Sequence, residues 1–325
     1  MMLLYLLLFV AGFAALMKGA GLFVDGSSAL AGNFKISKVI IGLTIVAMGT
    51  SAPELAVSTS AALQGSNEIA LSNVVGSNIF NLLCVLGICA VIHPVPVDRV
   101  IQKRDIPISI LITVLLLLMT SASVLFNGKF MQLGMDEITG SADRLKGVIL
   151  LVIFLGYILY LIINAKKKEG DEETGKPAPL WKCAVLVVSG LFLIIAGGQA
   201  VVYGAKAVAR AFGMSETLIG LTIVAVGTSL PELVTSVVAA RKGETGLAVG
   251  NVIGSNIFNI LFILGISSAI QPIGVNVASI YDMAILIVTS VLVLLFSMKG
   301  KVINRVEGII MLLIYVADMV FAVIR

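Results

Sequence analysis

Residues 42–87 read GLTIVAMGTSAPELAVSTSAALQGSNEIALSNVVGSNIFNLLCVLG, and residues 220–265 read GLTIVAVGTSLPELVTSVVAARKGETGLAVGNVIGSNIFNILFILG. Laid over each other without a gap, at a constant offset of 178, they agree at 28 of 46 positions. Self-similarity at a fixed offset marks one structural unit used twice. Fainter agreement extends outward, pairing Gly26 with Gly204, Phe34 with Phe212 and Pro94 with Pro272. The agreement takes in nine polar residues, among them Thr50, Ser51, Glu54, Ser77, Asn78 and Asn81. A duplication kept only for folding would have no need to keep them.

These polar motifs sit in an apolar chain. The 325 residues are 59% hydrophobic and 12% charged, where soluble domains carry about a quarter charged residues. Mean hydropathy is +1.10. Residues 107–125, 148–163, 283–298 and 306–324 carry almost no charge beyond Glu307 and Asp318. About 20 apolar residues cross the roughly 30 Å hydrocarbon layer as a helix. Ten such spans are expected, near 2–30, 38–62, 68–92, 105–126, 146–164, 183–210, 217–240, 246–270, 280–298 and 305–324. The run at 1–17 lacks a basic start and continues apolar past Val24, so it reads as a retained first span and not a signal peptide. The expected fold class is an all-α membrane protein of ten transmembrane helices. One hydrophilic linker, 165–182, separates five-span halves at 1–164 and 183–325.

Loops after the odd-numbered spans hold 15 Lys and Arg, among them Lys166, Lys167 and Lys168, and the opposite side holds 6. The positive-inside rule puts the richer side in the cytoplasm and both termini outside the cell membrane. The net charge of +4 therefore belongs to an inner membrane surface, and the partner it implies is the lipid bilayer, with no nucleic acid. Cys84, Cys89 and Cys183 have no metal-ligand spacing and are expected to form no disulfide.

Five spans per half is an odd number, so the second copy enters the membrane from the opposite face. Two inverted-topology repeats follow, related by a pseudo-twofold axis in the membrane plane. That architecture is associated with secondary transport by alternating access, with the site at the midplane.

Two polar clusters per copy fall near span centres: GTSAPE at 49–54 with GTSLPE at 227–232, and GSNIFN at 76–81 and again at 254–259. Pro53 and Pro231 each remove a helical donor and crowd the turn before them, so broken helices are expected at the midplane. The break would turn carbonyls around Ala47–Thr50 and Ala225–Thr228 toward an ion, which is tolerable only inside protein or a hydrated cavity. Glu54 and Glu232 are the strongest clue. A lone carboxylate at the bilayer centre is costly, no Lys or Arg lies at matching depth, and the two would repel each other. A divalent cation cancels both charges. Hydroxyls of Thr50, Ser51, Ser77, Thr228, Ser229 and Ser255 and amides of Asn81 and Asn259 supply further oxygens. Calcium takes about 6–8 oxygens in a flexible cage. The motifs hold no His or Cys cluster, which argues against zinc or copper. Ser77 with Asn81, and Ser255 with Asn259, share helix faces at i, i+4.

Plainer readings stand beside these. Ser51 with Glu54 and Ser229 with Glu232 also spell the capping box, although that leaves two such boxes at the midplane unexplained. For Asn78 and Asn256, helix packing and ion contact are both open. Asp25 and Asp318 read as interfacial or helix-pairing residues. His93 is the only histidine, lies beside Pro94 at a span end, and is far from Ser51 and Ser229 in the layout. An intramembrane hydrolase is therefore disfavoured, and the chain reads as no enzyme.

The doubled GTSxPE and GSNIFN motifs closely resemble the paired alpha-repeats of the sodium/calcium exchanger family, with the short central loop of its prokaryotic members. The resemblance covers nearly the whole chain. It implies a secondary-active antiporter exchanging calcium for sodium, with Ca2+ and Na+ as transported ions and no cofactor. It implies that Glu54 and Glu232 hold calcium. Thr50, Ser51, Ser77, Thr228, Ser229 and Ser255, with the carbonyls of Ala47 and Ala225, would serve calcium and flanking sodium sites. Some members carry Asp where this chain has Asn259, so Asn259 implies potassium independence and no third carboxylate. The alternative is a calcium/proton antiporter using the same two glutamates, although the Glu-bearing second motif of that branch is absent. The first and sixth spans, read as lipid-accessible and poor in glycine, are those expected to slide.

Overall fold

The computed structural model describes residues 2–65, 67–126, 133–165, 178–214 and 225–324. In chain order the first half holds α1 (Met2–Phe34), α2 (Lys38–Ile41), α3 (Ala47–Thr50), α4 (Ala52–Leu63), α5 (Asn67–Phe80), α6 (Leu86–Ile92), β1 (Val95–Pro96), α7 (Ile106–Phe126), β2 (Ile138–Ala142) and α8 (Arg144–Ala165). The second half holds α9 (Leu180–Ala211), α10 (Ala225–Thr228), α11 (Leu230–Arg241), α12 (Thr245–Phe258), α13 (Leu264–Ile270), β3 (Ile273–Asn276), α14 (Val277–Gly300), β4 (Val302–Ile303) and α15 (Arg305–Ile324). Wider π-turns join several of them, including Asn81–Val85 and Asn259–Ile263, which are 178 residues apart.

Among the described residues, eight helices are long and apolar enough to cross a membrane. The pair Lys38–Thr50 and Ala52–Leu63, bent by 49°, makes a ninth if taken as one span. The bend falls where Pro53 enters the first turn of α4, as the missing proline N–H requires. The expected span 217–240 starts outside the described residues and is seen only from Ala225. Most of the linker 165–182 also lies outside them. The helices carrying GSNIFN form the centre: 94% of the apolar window of Thr245–Ile270 is buried and 72% of that of Ile69–Ile92, against 17–39% for the other six. Leu, Val and Ile side chains cover the outside, as in a bundle whose solvent is lipid.

Glycine decides how α1 meets α9. A Cβ on Gly12 would sit 2.9 Å from the Gly197 carbonyl, one on Gly19 2.7 Å from that of Gly190, and one on Gly204 2.9 Å from that of Tyr5. Contacts climb one helix as they descend the other, so α1 and α9 are antiparallel. Gly12, Gly19 and Gly26 recur every seventh residue and are the repeat partners of Gly190, Gly197 and Gly204. This corrects the expectation that these spans are poor in glycine: a heptad of glycines lines their shared face, and the backbones touch because no side chain intervenes.

Two short antiparallel strand pairs depart from a purely helical expectation. β1 pairs with β4, and β2 with β3, each joining one half of the chain to the other. β-Branched loop residues, Val95, Val302 and Ile303 among them, favour such extended pairing.

A candidate ion site shared by the two halves

Each glutamate is placed by the helix its proline opens. Glu54 lies in the first turn of α4 and Glu232 in the first turn of α11, and both are fully buried. Ser51 and Ser229 hold the N-cap positions, yet neither side chain caps its own helix. The Ser51 hydroxyl donates to Glu232 Oε1 at 2.8 Å, and the Ser229 hydroxyl donates to Glu54 Oε1 at 2.7 Å. The serines are thus exchanged between halves, and the capping-box reading does not describe what they do. Ser77 Oγ joins the same chain, 3.1 Å from Ser229 Oγ and 3.4 Å from Glu54 Oε1. Thr228 lies beside Glu54, and Thr50 and Ser255 lie beside Glu232. The two carboxyl groups are within Coulombic reach of each other.

The four asparagines of the GSNIFN motifs form a reciprocal network at the centre. Asn78 Nδ2 donates to the Asn256 carbonyl and Asn256 Nδ2 to the Asn78 carbonyl, each at 3.1 Å. Asn81 Nδ2 donates to Asn256 Oδ1 at 3.3 Å, and Asn259 Nδ2 to Asn78 Oδ1 at 3.0 Å. Asn78 and Asn256 therefore lock α5 to α12, which gives the packing side of their open reading a concrete form.

That network spends the donors of Asn81 and Asn259 and leaves their oxygens. Among the described residues, Asn81 Oδ1, Asn259 Oδ1, Glu54 Oε2 and Glu232 Oε2 are buried without a hydrogen-bond partner. All four are acceptors, two of them on carboxyl groups, and each half of the chain contributes one of each kind. A buried polar atom without a partner is costly, and a set made only of acceptors calls for a donor or a cation. Ser77 and Asn81, one turn apart, carry the chain of oxygens along α5 and the π-turn after it; Ser255 and Asn259 do so along α12 and its π-turn. A desolvated hard cation suits these groups chemically.

The expected carbonyls differ between halves. That of Ala47 accepts the Ser51 N–H at 3.0 Å and the Ser255 hydroxyl at 3.5 Å. The equivalent Ser229 N–H bonds Val226 instead, leaving Ala225 to open α10 at the edge of the described residues. Asp25 is a helix-pairing residue, held by Lys242 Nζ at 2.6 Å.

Sequence reasoning missed a supporting pair. Asn73 Nδ2 donates to Ser58 Oγ at 2.9 Å and to the Glu54 carbonyl at 3.4 Å. Asn251 does the same for Ser236 at 2.9 Å and the Glu232 carbonyl at 3.5 Å. Both asparagines and both serines are identical in the two copies, a signal lying outside the two polar motifs.

Comparison with known proteins shows the family. The family described as sodium/calcium exchanger protein matches residues 4–163 and 182–324. The CaxA protein of Alkalimonas amylolytica is 41% identical over 317 residues, 94% of each chain. The sodium/calcium exchanger MaX1 of Methanosarcina acetivorans is 34% identical over 339 residues, 97% of each. A solved structure of the sodium-calcium exchanger NCX_Mj superimposes with a TM-score of 0.81 at 33% identity, covering 98% of this chain and 99% of that one. With the family matched across both halves and the fold shared end to end, this chain belongs to the sodium/calcium exchanger family.

Proposed function

We propose that the protein exchanges calcium for sodium across the cell membrane by alternating access, with calcium held between Glu54 and Glu232. The observation that carries this reading is the set of four buried, unpartnered acceptor oxygens, two from each half. Two buried carboxylates within Coulombic reach repel unless a cation intervenes, and calcium neutralises both while taking the amide and hydroxyl oxygens around them as ligands. Glu54, Glu232, Asn81 and Asn259 are the proposed core ligands. Thr50, Ser51, Ser77, Thr228, Ser229, Ser255 and the carbonyls of Ala47 and Ala225 complete the calcium and flanking sodium sites. Sodium ions displace calcium by filling overlapping oxygen positions.

The proposal includes ten spans arranged as two inverted halves, 1–164 and 183–325, joined by a cytoplasmic linker, with both termini outside. The antiparallel run of α1 against its repeat partner α9 supports the inversion. Those two helices are the proposed sliding pair, and the close backbone approach at their glycines supports sliding as one unit. α5 and α12, locked by four asparagines, form the fixed frame.

Reconstituted vesicles test the reading. Calcium uptake driven by an outward sodium gradient at equal pH is the expected result. Uptake that ignores sodium and follows a pH gradient overturns it in favour of calcium/proton exchange.

A further inference from the structure

Asn251 is fully buried on α12 and touches both halves of the chain. Its Nδ2 donates to Ser236 Oγ and reaches the Glu232 carbonyl, both on α11. Its Oδ1 accepts the Thr50 hydroxyl at 2.9 Å. A carbonyl only accepts, so Glu232 fixes which end of the amide carries hydrogens. The oxygen end then faces Thr50 and, being buried, requires the Thr50 proton. The carbonyls of Val46 and Ala47 lie farther from Thr50 Oγ1, at 3.1 and 3.3 Å. A hydroxyl has one proton and two lone pairs. The Glu232 carboxylate beside Thr50 is a rival acceptor for that proton; with the proton held by Asn251 at 2.9 Å, Thr50 presents lone pairs to the carboxylate. Acceptor then faces acceptor, an arrangement that a cation relieves.

We propose that Asn251 is a positioning residue for the ion site: it orients the Thr50 hydroxyl so that calcium meets a lone pair, and it ties that orientation to the backbone of Glu232. The inference rests on the reading of this site as a calcium site and adds a residue that touches no ion itself. Asn73 repeats the donor half of the arrangement on Ser58 and the Glu54 carbonyl.

The test is a double-mutant cycle read by calcium binding rather than transport. Half-saturating calcium is taken from the calcium-dependent rise in melting temperature of the purified full chain. Asn251→Leu and Thr50→Val are each expected to raise it about ten-fold, the worth of one well-made hydrogen bond. Because one residue acts through the other, the double variant is expected near the single ones, not about a hundred-fold weaker. Thr50→Ser keeps the hydroxyl and is expected to bind calcium more tightly than Thr50→Val. Additive losses, or an Asn251→Leu variant that binds calcium normally, overturn the proposal. If Asn251→Leu does not fold, Asn251→Ala takes its place in the cycle. A Thr50→Val variant with unchanged affinity overturns the proposal whatever the asparagine variants do. Calcium binding that follows this pattern without sodium-driven uptake would overturn the exchange reading and leave this inference standing.

Discussion

Ser51 and Glu232 are 181 residues apart, and the serine hydroxyl donates to the glutamate at 2.8 Å. Ser229 returns the bond to Glu54 at 2.7 Å. Neither carboxylate is therefore complete within its own half of the chain. A displacement of α4 against α11 would disturb both bonds.

Removing an exchanged serine should weaken ion binding more than folding. Hydrogen bonds to charged groups contribute about 1.5–3 kcal/mol. Ser51→Ala and Ser229→Ala are each expected to raise half-saturating calcium by about ten-fold or more in radiocalcium uptake. A helix-capping role would instead lower the melting temperature and leave calcium dependence unchanged.

The asparagine lock should act on stability. Asn78→Leu removes the donor to the Asn256 carbonyl and the acceptor for Asn259 Nδ2. Leaving such buried groups unsatisfied costs about 1–3 kcal/mol each. Thermal unfolding in detergent is expected several degrees below wild type, and Asn256→Leu should match it because the bonds are reciprocal.

The glycine face of α1 and α9 should tolerate no side chain. A Cβ on Gly190 would stand 2.6 Å from the Phe23 backbone nitrogen. Gly190→Ala is expected to cost about 1–3 kcal/mol by overpacking and to slow exchange. Gly156→Ala, where a Cβ meets nothing within 4 Å, serves as the control and should lower neither melting temperature nor uptake.

If three sodium ions exchange for one calcium, as the family resemblance implies, one net charge moves per cycle. A clamped potential then shifts the transport equilibrium by about 2.3 kcal/mol per 100 mV. Sodium-driven calcium uptake into vesicles should change with an imposed potassium diffusion potential. An electroneutral exchange would show no such change.

The repeat made much of this site legible from sequence. Identity at GTSxPE and GSNIFN includes Glu54, Glu232, Asn81 and Asn259, each of which keeps a buried oxygen without a partner. The proline bend in the first half also follows from local chemistry. The partners of each group did not, because the exchanged serines and the paired asparagines join residues 175–181 apart, and no local pattern encodes that pairing. Gly12, Gly19 and Gly26 were equally visible, but periodic glycines acquire meaning only once the facing helix is known. The β1–β4 pair escaped because two-residue strands such as Val95–Pro96 carry no periodicity.

Sodium-driven radiocalcium uptake by wild type, Glu54→Gln and Glu232→Gln tests the central claim most directly. Each replacement keeps the shape and removes one of the two charges that calcium would balance. Both variants are predicted to lose uptake by at least about a hundred-fold, consistent with deletion of a buried charged ligand, while remaining folded. Uptake at the wild-type rate by either variant would contradict the account.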